Sequence, residues 1–233
     1  MYKMVVISNK KIFLLLAILP ALFFQAIGTY FYYIYPDVQF PQIIYVFTKI
    51  LLIAWPLLCW ALIGKFLFIK TEKNNKKSVI LGIISGLIFL VAILAIYFWQ
   101  QDYFQQYAWL IKDKVDKLGI GGTNFLIFAV FLSLIHSLIE EYYWRSFVFR
   151  GLLGLMKFWP ALIIGGLAFS LHHFLLLSQF FPWTITIPFG LVVGAAGAWW
   201  SHVYYKNNSL WGAWIGHVFS DMAVMIVAYF LIF

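Results

Sequence analysis

His136, Glu140, Glu141 and Arg145 stand within one stretch of the chain, His172 and His173 follow as an adjacent pair, and His217 and Asp221 stand near its C-terminal end. Carboxylates and imidazoles are the side chains that most readily take up and release protons near neutral pH. A carboxylate beside an imidazole can draw a proton from water and make it a nucleophile. An imidazole with a second polar group can hold the oxyanion that forms when water adds to a carbonyl. The spacing favours convergence: His136 and Glu140 are four residues apart, as are Glu141 and Arg145, and His217 and Asp221, and residues four apart share a helix face.

The elements that must position these groups are apolar. Of 233 residues 64% are hydrophobic and 10% charged, against about 45–50% and about 25% in soluble domains. This composition excludes a soluble globular enzyme. A hydrocarbon core about 30 Å thick takes about 20 apolar residues per helix, so the chain has room for about seven or eight spans and no separate soluble domain. The formal charge of +8, from 16 Lys and Arg against 8 Asp and Glu, lies mostly in short loops between apolar runs. There it sets orientation and meets lipid head groups, and it gives no reason to expect nucleic acid. Cys59 is the single cysteine, which excludes an intramolecular disulfide and a multi-thiolate metal site.

The expected fold is all-α, a polytopic transmembrane bundle of about seven to eight helices with one interfacial amphipathic helix. Residues 1–99 read as an N-terminal three-helix membrane region, 100–124 as an amphipathic segment, and 125–233 as a four-helix membrane core. The first apolar run, Ile12 to about Ile34, follows Lys10 and Lys11 and extends past a signal-peptide core to spanning length. The second runs from Ile43 to Phe68; Lys70, Lys73, Lys76 and Lys77 separate it from a third, Val79 to Phe98. Between Gln100 and Asn124, Tyr103, Tyr107, Leu110, Val115 and Leu118 recur at helical spacing among Lys112, Asp113, Lys114, Asp116 and Lys117, which predicts a helix on the membrane surface. Asn124 is placed to cap a fourth span from Phe125 to about Phe149. Pro160 opens a fifth to about Phe180, Pro182 precedes a sixth ending near Tyr205, and Ser209 precedes a seventh to Phe233.

With Lys3, Lys10 and Lys11 inside, Lys70 to Lys77, Arg150 with Lys157, and Lys206 also fall inside. The pattern predicts an integral protein of the cytoplasmic (inner) membrane, N-terminus in and C-terminus out; the loop with Lys112, Lys114 and Lys117 is the exception. A charge in hydrocarbon costs about 2.5 to 17 kcal/mol, so its presence there marks a functional site by default. All five histidines lie in the last four spans, whereas the first three carry only Lys49, expected to snorkel or pair. At a rise of about 1.5 Å per residue, three antiparallel helices can bring Glu140, His173 and His217 to one level in the cytoplasmic half. His172 is expected to point about 100° away from His173. His136 reads either as support for Glu140 or as a core histidine, and His202 as interfacial. Gly190, Gly194 and Ala198 form a small-residue stripe for close helix packing.

Three stretches carry a resemblance to a known family. Glu140-Glu141-Tyr142-Tyr143-Trp144-Arg145, Phe169-Ser170-Leu171-His172-His173 and His217-Val218-Phe219-Ser220-Asp221 resemble, in order, the EExxxR, FxxxH and HxxxN/D motifs of the CPBP intramembrane proteases. That group holds the type II CAAX prenyl endopeptidases and bacteriocin-processing or immunity proteins, and the resemblance covers about Phe125 to Phe233. It implies an endopeptidase in the lipid bilayer that cleaves a membrane-associated protein or peptide near its C-terminus. It implies that Glu140 activates the water, assisted by His173, that His217 and Asp221 stabilise the oxyanion, and that Glu141 and Arg145 form a supporting pair. It also implies a glutamate-type mechanism with no required metal or cofactor. The CAAX-processing members typically carry Asn where this chain has Asp221, and an ionised Asp cannot donate to an oxyanion. Asp221 is therefore either protonated or serves to orient His217. The same substitution keeps Zn²⁺ as a minority reading, since Glu, His, His and Asp are plausible ligands, although the spacing lacks HExxH. A non-catalytic membrane immunity or scaffold protein of the same fold is the alternative; a proton-coupled transporter is disfavoured by the absence of repeats.

Overall fold

The computed structural model describes residues 2–37, 39–63 and 74–233, with side chains described from Lys11 onward. Lys3, Lys10, Lys70 and Lys73 of the orientation argument, and positions 64–68 of the second apolar run, lie outside the described residues or side chains. Among the described residues the protein is helical and holds no strand. Among the described residues seven helices are long and apolar enough to cross a membrane: Lys11–Ile34, Pro41–Leu62, Asn75–Trp99, Thr123–Leu155, Phe158–Leu177, Trp183–Asn207 and Trp211–Ile232. The all-α polytopic expectation therefore holds. The helices belong to two compact units, Met1–Lys70 with Tyr142–His202, and Thr71–Glu141 with Val203–Phe233.

In the first unit the opening span is broken once. α1 (Tyr2–Ala21) ends where Pro20 lacks an N–H, and α2 (Phe24–Thr29) resumes and closes in a π-helical turn, Tyr30–Ile34. α3 (Pro41–Ile63) returns beside them. Gly28 of α2 makes the close approach possible, since a Cβ there would overlap Oγ1 of Thr48 on α3. Trp55 Nε1 donates to the Ala17 carbonyl at 2.8 Å, which satisfies an indole N–H that lipid could not. Tyr143 donates to the Ala21 carbonyl at 2.5 Å and Trp144 Nε1 to Gln25 Oε1 at 2.7 Å, both buried. The unit is completed by α9 (Arg150–Leu155), α10 (Phe158–Leu177) and most of α11 (Trp183–Asn207). Gly166 of α10 meets the Gly194 carbonyl and the Ala198 methyl, Gly190 meets the Phe174 ring and Gly197 the Phe169 ring. The small-residue stripe is thus the face that α11 turns to α10.

The second unit is organised by α4 (Asn75–Trp99) and α12 (Trp211–Ile232). Helices in lipid gain little from apolar burial, so small residues that admit close backbone approach carry the packing. Gly82 lies on the Gly212 backbone and Gly86 on the Phe219 ring. At the same end the Gly212 N–H donates to Ser78 Oγ at 3.1 Å, and Ser209 Oγ donates to Asn75 Oδ1 at 2.6 Å. At the other end the Tyr97 and Phe230 rings stack, centroids 6.1 Å apart.

The single amphipathic helix expected over 100–124 is two, α5 (Gln101–Gln105) and α6 (Ala108–Lys117). The apolar side of α6 packs on protein: Val115 shares a cluster with Phe125, Met225 and Ile232, flanked by Ile111 and Phe128. Its polar side carries the exposed Lys117–Asp113 pair at 2.7 Å. Partial burial holds the Lys114 ammonium below the usual lysine range, Lys117 adds repulsion, and Asp113 opposes both. The cap of α7 (Thr123–Phe131) is Gly122, with φ +59°, and not Asn124, which lies in the first turn and donates to the Gly119 carbonyl at 3.2 Å. A left-handed residue there suits glycine, whose lack of a Cβ removes the steric penalty.

Candidate active site

The fourth span is not a uniform α-helix. π-helical turns, Leu132–His136 and Tyr142–Phe149, flank a short α8 (Ser137–Glu141) that carries both glutamates. Such turns change which face the following residues occupy and recur at functional sites. The first is held from outside: Trp214 Nε1 of α12 donates to the Leu134 carbonyl at 3.0 Å, and Ser137 Oγ donates to the Ser133 carbonyl.

Within the second unit, Glu140, Glu141, His217 and Asp221 come together. Glu140 is 2% exposed, Glu141 0% and His217 3%. Glu140 Oε1 lies 3.0 Å from His136 Nε2, and Oε2 lies 3.9 Å from His217 Nε2. His217 Nδ1 is 2.9 Å from Glu141 Oε1, and its Nε2 is 3.4 Å from Asp221 Oδ1. A carboxylate only accepts, so Glu141 fixes the hydrogen on Nδ1 of His217. Nε2 then faces two further carboxyl groups, and those approaches are favourable only with a proton on Nε2 or on one of the facing oxygens. The cluster thus gathers three carboxyls, Glu140, Glu141 and Asp221, and two imidazoles, His136 and His217.

Oε2 of Glu140, Nε2 of His217 and Oδ1 of Asp221 are also donor types that Zn²⁺ accepts. Tetrahedral ligands about 2.0–2.1 Å from zinc lie about 3.3 Å from one another; His217 Nε2 is 3.4 Å from Asp221 Oδ1 and 3.9 Å from Glu140 Oε2.

Arg145 and His173 lie in the first unit, gathered round Phe169. The Arg145 guanidinium, 1% exposed, sits 4.8 Å from the Phe169 ring centroid and 5.6 Å from that of Trp200. Cation–π contact gives this buried charge favourable neighbours. His173 and His172 approach Phe169 at 5.1 and 5.8 Å between ring centroids, and Trp144 does so edge-on at 5.7 Å. The two histidine rings are 4.0 Å apart, so His172 does not diverge from His173 as adjacency alone predicts. His202 stacks on Trp199 at 5.8 Å, and Lys49 lies 5.3 Å over the Tyr45 ring.

Sequence reasoning passed over Phe169 and Trp200 as site groups. The F of FxxxH was the available signal for Phe169, and no spacing rule marks Trp200. For His136 the spacing leaves support for Glu140 and a core histidine open, and the structure places it 3.0 Å from Glu140.

Residues 122–223 match the family described as type II CAAX prenyl endopeptidase Rce1-like. The matched segment contains all three motifs and leaves the first three spans outside, so the resemblance read from the motifs is borne out there. No curated protein and no solved structure is similar enough to the chain to match it.

Proposed function

We propose that this chain, carrying an Rce1-like segment, is an intramembrane endopeptidase of the CAAX type that hydrolyses a peptide bond near the C-terminus of a membrane-associated protein. The observation that carries the reading is the buried Glu140 carboxylate, with an imidazole at each oxygen, inside the matched segment. In this mechanism Glu140 takes a proton from water and the hydroxide oxygen bonds to the scissile carbonyl carbon. The carbonyl oxygen becomes an oxyanion that accepts from protonated Nε2 of His217, while Asp221 either donates a hydrogen bond of its own or orients that imidazole. Glu141 holds the ring from Nδ1. Collapse restores the carbonyl, breaks the C–N bond and passes the proton from Glu140 to the leaving nitrogen, so the products are a carboxylic acid and an amine, which then exchange a proton to give carboxylate and ammonium.

No cofactor is required by these steps. Bound at Glu140, His217 and Asp221, Zn²⁺ would supply Lewis-acid polarisation and a more acidic water. The basic loops support placement in the cytoplasmic membrane with the N-terminus inside.

The direct test is the purified protein in detergent with a farnesylated peptide ending in a CAAX sequence, followed by mass spectrometry. The shortened peptide is expected with wild type and not with Glu140→Gln. No shortening with wild type argues against CAAX substrates.

A further inference from the structure

His136 belongs to none of the three motifs, yet it lies within hydrogen-bond distance of the carboxylate on which the mechanism turns. Nε2 of His136 is 3.0 Å from Glu140 Oε1, whereas the approach of His217 to Oε2 is 3.9 Å, beyond hydrogen-bond length. His217 is instead engaged by Glu141 at 2.9 Å. In the second unit, therefore, His136 makes the close hydrogen bond that limits rotation of the Glu140 carboxylate, leaving Oε2 as the oxygen turned toward His217.

The position of His136 is itself fixed. It is the last residue of the π-helical turn Leu132–His136, whose Leu134 carbonyl accepts from Trp214. Trp214 is on α12, the helix that carries His217 and Asp221. One helix thus sets the imidazole on one side of Glu140 and anchors the turn that presents the imidazole on the other. Charge gives a second reason for the contact: Glu140, Glu141 and Asp221 put three carboxyls around His217, and His136 is the second imidazole available to them in this unit. Its side chain is 24% exposed and that of Glu140 2%, so His136 links a buried carboxylate to the helix surface.

We propose that His136 is a positioning residue for Glu140: its Nε2–H donates to Oε1 and holds the carboxylate with Oε2 directed at His217. The turnover arm of the test rests on the peptidase reading above; the spectroscopic arm does not. The variants are His136→Gln, whose amide nitrogen reaches the place of Nε2, and His136→Asn, whose amide is too short and matches Nδ1.

The chain has five histidines, so protein labelled with ¹⁵N-histidine gives a spectrum in which the His136 signals are those absent from His136→Gln. Glu140→Gln is expected to shift the His136 signals and leave those of His202 in place. Unchanged His136 signals would overturn the proposal. On a farnesylated CAAX peptide, His136→Gln is expected to keep kcat close to wild type. His136→Asn is expected to lose about a hundredfold in kcat at similar KM, the scale on which a misplacement of about 1 Å acts. Equal kcat for the Asn variant and wild type would also overturn it. Wild type that cleaves nothing counts against the peptidase reading alone, since the histidine shift stands or falls independently.

Discussion

The Nδ1 of His217 donates to the Glu141 carboxylate across 2.9 Å, and both side chains are shut off from solvent. Two helices, α8 and α12, are joined through this bond. It leaves the ring only one nitrogen for chemistry, the Nε2 that faces Glu140 and Asp221.

Glu141→Gln is expected to remove that selection. An amide can accept or donate, so the ring is free to adopt the other tautomer, a change that in a comparable carboxylate–histidine pair costs about 10⁴ in kcat. Turnover is expected to fall by about 10³–10⁴ with thermal unfolding in detergent little changed. A variant within tenfold of wild type would remove Glu141 from the mechanism.

Asp221 stands where an oxyanion donor is wanted, and Asn donates at any protonation state. Asp221→Asn is therefore expected to retain turnover at or above the wild-type level. Asp221→Ala, which removes the oxygen that faces His217 Nε2, is expected to lose about 10²–10³. Equal rates for both variants would show that the side chain at 221 takes no part.

Metal removal separates the two readings of the same atoms. Treatment with EDTA and with 1,10-phenanthroline is expected to leave turnover unchanged, because Glu140 and the imidazoles supply the proton transfers. Loss of activity restored by added Zn²⁺ would assign the Glu140, His217 and Asp221 donors to a metal instead.

The packing of α4 on α12 can be tested away from the chemistry. A methyl at Gly82 would run into the Gly212 backbone, which cannot yield as a flexible side chain does. Gly82→Ala is expected to destabilise the fold by about 1–3 kcal/mol, the cost of overpacking. Gly121→Ala, where a Cβ meets only Asp116 Oδ1 at 4.0 Å, is the neutral comparison. Equal unfolding midpoints for the two in detergent would contradict the close approach.

What could be read from the chain and what could not divide along physical lines. The spans were legible because about 20 apolar residues in succession have few other uses, and Glu140, His217 and Asp221 stand out in the sequence because ionisable groups in apolar runs are costly to bury. The ends of elements were less so: Asn124 has the chemistry of a cap, but Gly122 alone tolerates the backbone the turn takes. The π-helical turns around α8 have no sequence signal, since tertiary bonds such as that from Trp214 to Leu134 help hold them. The helical interval pairs Glu141 with Arg145, whereas its contact to His217 joins residues 76 apart and could not be read from spacing. The same holds for the aromatic cage of Arg145, drawn from Phe169 and Trp200 on separate helices.

The central claim is that Glu140 performs proteolysis. It is tested most directly by comparing wild type with Glu140→Gln at equal expression in the native membrane, with mass spectrometry of protein termini. The account predicts chain ends present with wild type and lost in the variant, close to the C-terminus of a membrane-associated protein. Identical termini in both, with the wild-type phenotype kept by Glu140→Gln, would contradict it and favour a membrane immunity or scaffold protein that does not cleave.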